Sequence, residues 1–184
     1  MLRLPAILLA GAFVILACDP PFPTHSPSPT ATGPAAAFEI EAAQFVNTGG
    51  CGDAFIWATN AAGTAAITVE WGGAASEAWA NGPFNDTQQL PNPEITVSVV
   101  EGNGLSTYYC NDVRGPGQGT TSEIEATSGA VEVAVRPDPE GFQPAGHADL
   151  RLSDVTFTIR LGSGETWRLD ELVIENVSVG WLAG

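Results

Sequence analysis

Val155-Thr156-Phe157-Thr158-Ile159-Arg160-Leu161 carries an apolar side chain at every odd position and a polar one at every even position. A strand turns successive side chains to opposite faces, so this alternation predicts a strand with one buried and one wetted face. Gly162-Ser163-Gly164 then supplies a turn into Thr166 to Leu169, and Leu172 to Trp181 completes the chain. Just upstream, Leu150 and Leu152 are even-numbered, yet the apolar set resumes on odd numbers at Val155. Ile174 gives way to Val177 in the same manner. A one-residue slip exchanges the two faces of a strand, so each change of phase predicts a bulge or short bend, around Asp154 and around Asn176.

The same period of two extends through most of the chain after residue 37. Phe38, Ile40 and Ala42 alternate with Glu39 and Glu41; Ile67, Val69 and Trp71 alternate with Thr68 and Glu70; Ile95, Val97 and Val99 follow a Pro-containing loop. Phe55 to Ala58 is a short apolar run ending in a turn at Asn60-Ala61-Ala62-Gly63, and a further strand runs through Tyr108 to Cys110. Residues Ile124 to Arg136 read as a hairpin turning at Ser128-Gly129, with Val131, Val133 and Val135 inward. No window carries a helical stripe. The expected fold is therefore all-β: a single antiparallel β-sandwich of about nine or ten short strands. The 147 residues from 38 to 184 suffice for one core, so one folded domain is expected there.

Charge removes one class of partner. The chain holds 21 acidic side chains, six arginines and no lysine. It has no clustered basic surface of the kind nucleic acid requires.

The first residues have a different logic. Met1 to Ala17 joins one positive charge (Arg3) to an apolar run from Leu4 to Leu16, with a small residue, Ala17, before Cys18. As a helix this run would span only about 20 Å, short of a hydrocarbon layer of about 30 Å, so it reads as an export signal. Ile15-Leu16-Ala17-Cys18 resembles the lipobox of bacterial lipoproteins. That resemblance implies cleavage before Cys18, acyl chains such as palmitate on the new first residue, and residence on the bacterial cell membrane facing the periplasm or the exterior. Five arginines would remain against 21 acids, so anionic headgroups would repel the mature chain and the acyl chains would hold it. Asp19 resembles the inner-membrane retention signal of some two-membrane bacteria. Residues 18–37, with six prolines after Cys18, read as a stiff, extended tether. Lipidation of Cys18 would also leave Cys51 and Cys110 as a pair, expected to form a disulfide outside the cytoplasm.

Tyr108-Tyr109-Cys110 is similar to the end of an immunoglobulin domain, where a tyrosine precedes the second cysteine by two residues, and Gly117-Gln118-Gly119-Thr120 is similar to the strand that follows. The tryptophan expected about a dozen residues after the first cysteine is missing, since Trp57 lies six residues on and Trp71 twenty. Immunoglobulin topology is thus an alternative to an unnamed sandwich.

Three groups of residues are candidates for chemistry. A Cys51–Cys110 bond would bring Asp53 near Asn111 and Asp112, a partial oxygen shell for calcium. Trp79, Phe84, Asn85 and Asp86 fall in an aromatic-rich stretch read as a loop, with stacking faces beside amide and carboxylate groups, as glycan binding requires. His147, Asp149 and Arg151 would share the wetted face of a strand; His147 is the only histidine outside the tether, so any His-based catalysis must use it. The sequence assembles no catalytic constellation. The expected role is a membrane-tethered binding or structural module, its partner a glycan or envelope protein. The alternatives are an extracytoplasmic hydrolase using paired acids, or a subunit of an envelope assembly.

Overall fold

The computed structural model describes residues 37–138, 140, 145–159 and 165–180. The export signal, Cys18, the tether up to residue 36, and the turn expected at Gly162-Ser163-Gly164 lie outside them. The described chain runs β1 (Ala37–Glu39), β2 (Phe45–Cys51), β3 (Phe55–Asn60), β4 (Ala65–Trp71), α1 (Ala74–Asn81), β5 (Phe84–Leu90), β6 (Ile95–Asn103), β7 (Gly119–Pro137), β8 (Ala145–Thr158) and β9 (Thr166–Gly180). The expected all-β class, with one disulfide, is what forms.

All nine strands belong to one curled sheet in the order β1-β9-β8-β7-β6-β4-β3-β2, with β5 laid on β7. The pairings are antiparallel except that of β1, which runs parallel to β9. The 19-residue β7 makes the curl possible. Up to Glu125 it pairs with β6; from Ala126 it pairs with β8, and β5 joins its other edge from Gly129 to Val135. The expected hairpin at Ser128-Gly129 is therefore corrected to an irregularity within one strand, where the register against β8 shifts. Gly129 has φ +129°, and a Cβ there would lie 2.8 Å from the Val155 Cα. A tight turn and a bulge make the same local demand for glycine, and only the partner strands tell them apart.

The two predicted bends are present. Against β7, Ser128 and Ala130 oppose Thr156 and Ser153, so β8 carries an extra residue at Asp154, whose φ is +52°. Between β8 and β9, Ala148 and Leu150 oppose Val177 and Ile174, and the extra residue is at Asn176, with φ +56°. Asp and Asn tolerate this left-handed conformation better than most side chains. Each bend returns the apolar set to the inner face: Leu150, Leu152, Val155, Phe157, Leu169, Leu172, Ile174, Val177 and Val179 are all buried.

A single core fills the concave side. Ile56, Ile67 and Val97 from one half of the sheet share it with Val133, Leu150 and Phe157 from the other. The curl meets itself where β2 reaches β9: the Gly180 N–H donates to the Gly52 carbonyl at 2.6 Å. A Cβ on Gly50 would stand 2.7 Å from the Ser178 carbonyl oxygen, so a side chain there would hold the two strands apart.

No helix was expected, yet α1 closes against β5, β7, β8 and β9 with Ala74, Ala75 and Ala78 buried. Its cap comes from a distant residue. Asp53 accepts the N–H groups of Gly73 at 2.8 Å and Ser76 at 2.9 Å, and the Ser76 hydroxyl at 3.2 Å. A carboxylate at a helix N-terminus satisfies donors that have no partner inside the helix and complements its dipole. Because Asp53 lies twenty residues upstream of Gly73, no local capping signature marks the helix. Among the described residues no helix is long and apolar enough to cross a membrane.

Candidate functional site

The disulfide between Cys51 and Cys110 is formed, with Cα atoms 6.0 Å apart. Its setting differs from an immunoglobulin clamp. Cys51 ends β2, a strand at one end of the sheet order, and Cys110 sits in a turn after the 3-10 helix Leu105–Thr107. The strand expected through Tyr108 to Cys110 is thus corrected to a turn, and the immunoglobulin alternative falls with it. The bond fastens the 104–118 connection across the outer face of β3, β4 and β6.

That outer face can be read from register. Trp57 opposes Thr68, Thr68 opposes Ser98, and Ser98 opposes Glu125, a row across four strands. The adjacent row is Thr59, Ala66, Val100 and Glu123. Ala66, Val100 and Leu105 form a second small core, flanked by Tyr108 and Tyr109. The Tyr109 ring lies 5.5 Å from Phe55, 5.9 Å from Trp57 and 5.3 Å from Tyr108, and the Arg114 guanidinium stands 4.7 Å above Tyr108. Burial, helped by the negative charge of Glu123 and by Tyr108, pushes the Tyr109 phenol up to about 12. Four buried polar atoms without a protein partner (Trp57 Nε1, Thr59 Oγ1, Ser98 Oγ and the Tyr109 hydroxyl) also belong to this face and its cover. Sequence reading found the cysteines and the tyrosines but not this cluster, because the rows that assemble it join residues tens of positions apart.

A cleft lies elsewhere along β7. After the Ala126–Phe157 pair, β7 and β8 separate: β7 continues against β6, while the N–H of Ile159, just past β8, is taken by the Glu165 carbonyl at 3.0 Å. The opening has a volume of about 740 Å³, lined by residues 122–127 of β7 with Thr158, Ile159 and Pro91. This is the size of a small-ligand or peptide site.

The other expected residues lie on several elements. Both Asp53 oxygens are engaged at α1; the Asn111 oxygen accepts the Val113 N–H at 2.9 Å, and its amide donates to the Thr107 carbonyl at 3.2 Å. Asp53 and Asn111 thus each make local hydrogen bonds, and among the described residues no group of three or more His, Cys, Asp or Glu is placed to hold a metal. The expected loop of Trp79, Phe84, Asn85 and Asp86 is corrected to helix and strand. Trp79 is on α1 and 39% exposed, whereas Phe84 in β5 meets Trp71 edge-on at 5.7 Å. Asn85 is exposed while half-buried Asp86, its neighbour in β5, accepts the Thr87 N–H and the Gln88 amide. Asn85 therefore faces the opposite side of β5 from Phe84 and Asp86, while Trp79 belongs to a different element.

His147, Asp149 and Arg151 do share the outer face of β8, where Asp149 and Arg151 make structural contacts. Arg151 pairs with Glu171 at 2.5 Å. Asp149 receives the Arg136 guanidinium and also the Asn176 N–H at 2.8 Å, so it braces the bend in β9. The Arg136 hydrogen bond, then the Asn176 N–H, hold the Asp149 carboxyl below the usual carboxylate range. A folded-state pKa below the unfolded value stabilises at and above the ordinary carboxylate range and is lost as pH falls through the folded value. Asp149→Asn should therefore lower stability at pH 7 by about 0.5–1 kcal/mol, a modest figure because the pair is partly exposed and screened. Denaturant titrations should show the gap to the parent starting to close near about pH 4, where the unfolded parent's carboxyl takes up its proton, and vanishing as pH falls through the lower folded-state value.

Comparison with family models, curated proteins and solved structures returned no match.

Proposed function

We propose that the chain is an extracytoplasmic bacterial lipoprotein, held on a membrane by acyl chains on Cys18, whose β domain is a non-catalytic binding module for an envelope partner. One observation carries this reading. The Cys51–Cys110 bond occupies two of the three cysteines, and the third, Cys18, directly follows the apolar run from Leu4 to Leu16. A disulfide suits an oxidising compartment, and an apolar run too short to span a bilayer suits an export signal. Two or three acyl chains, each contributing about 0.8 kcal/mol per buried methylene, hold a protein against a charge that anionic lipid repels. The six prolines between Cys18 and β1 then set the domain off the membrane.

The test is membrane fractionation with radiolabelled palmitate. Wild type should carry label and sediment with membranes; Cys18→Ser should lose the label and leave the membrane pellet, with Cys51–Cys110 intact. A Cys18→Ser chain that is cut normally and still sediments with membranes refutes the proposal.

A further inference from the structure

The cleft beside β7 has an unusual lining: six consecutive residues, 122–127. Successive side chains of a strand point to opposite faces, so a groove that touches all six runs along the strand's edge rather than across a face. Before Ala126, β6 occupies one edge of β7, and among the described residues no strand pairs with the other. An edge in that state offers main-chain donors and acceptors in ladder spacing.

Charge selects the partner. Glu123 and Glu125 project from the outer face of this stretch, both exposed, while half-buried Ile124 and Ala126 pack against the core on the inner face. Among the described arginines, Arg136, Arg151 and Arg168 are paired with other carboxylates and Arg114 lies over Tyr108, so none is ion-paired to Glu123 or Glu125.

We infer that the edge of β7 from Gly119 to Glu125 is a docking site for an extended basic peptide segment, added as a further strand with Lys or Arg at alternate positions facing Glu123 and Glu125. Main-chain bonds supply affinity in this mode and alternate side chains supply specificity. The residues between the basic ones lie toward Ile124, Ala126 and Ile159 and are apolar. Opposite charges directly across a strand pair are favourable, and like charges are not, so an acidic segment is rejected. The inference concerns the partner of the binding module and does not depend on lipid at Cys18.

The probe is an alternating lysine–valine heptapeptide, mixed with the full chain in detergent and followed by hydrogen exchange and titration. Slowed exchange should be confined to residues 119–126. Glu123→Gln with Glu125→Gln should weaken binding about tenfold, as for a pair of close interfacial charges. Glu94→Gln with Glu175→Gln, which removes the same charge from exposed positions elsewhere, should leave it unchanged. A heptapeptide of equal charge with alternate amides N-methylated on its pairing edge should not bind. Equal weakening by both double variants, undiminished binding of the methylated peptide, or no binding at millimolar concentration would each overturn the inference.

Discussion

Replacing Cys51 and Cys110 together by serine is expected to lower the unfolding free energy by about 4 kcal/mol, the chain-entropy value for a closed loop of this length. The two cysteines are 59 residues apart, and the loop between them contains β3, β4, α1, β5 and β6. Opening it releases the unfolded chain from a constraint covering about a third of the sequence. The effect should be global, because the 104–118 connection is also braced from within. Leu105 N–H is taken by the Gly63 carbonyl at 2.9 Å, Gly115 N–H by the Gln118 side chain at 2.7 Å, and Gln118 donates to the Thr107 hydroxyl at 2.8 Å. Those bonds survive the substitution, so the native cover over Trp57 should persist while the midpoint falls. Urea unfolding of the oxidised and the double-serine chain, at matched pH, measures the difference. A change under 1 kcal/mol would mean that the unfolded chain is already compact around this loop, and the entropic account would fail.

What the sequence made legible here was local and periodic. Leu150 to Leu161 announced both the strand and its bend at Asp154, because alternation and its one-residue slip are written in consecutive residues. The bend at Asn176 was legible for the same reason. What escaped was set by contacts between distant residues. Helix α1 depends on Asp53 for its cap, and its three buried alanines leave too faint a stripe to read. Ser128-Gly129 looked like a hairpin turn because glycine serves both turn and bulge, and only β5 and β8 on the two edges of β7 decide between them. Phe84 looked available to a ligand until Trp71, thirteen residues earlier, met its ring. The aromatic cluster under the disulfide and the edge at 119–125, which no described strand pairs, both follow from register, which a single sequence leaves open wherever turn and bulge share residues.

Phe157→Ala is expected to cost about 3–5 kcal/mol, the usual range for truncating a buried phenylalanine. Phe157 is fully buried and stands at the parting of the sheet, opposite Ala126 of β7 on one side and Trp167 of β9 on the other. Its partner Ala126 is small, so a cavity left here has no large neighbouring side chain from β7 to collapse into it, which favours the upper half of the range. Against a typical domain stability of about 5–15 kcal/mol, the loss is a large fraction of the total. Phe157→Leu keeps most of the volume and should cost under about 1.5 kcal/mol. Phe38→Ala makes the informative contrast: Phe38 lies opposite Trp167 in β1 but is 49% exposed, so its truncation should cost about 1 kcal/mol or less. Chemical denaturation of the three variants tests the order. If Phe157→Ala and Phe38→Ala fell together, burial at the parting of β7 and β8 would not be what holds the two halves of the sheet on one core.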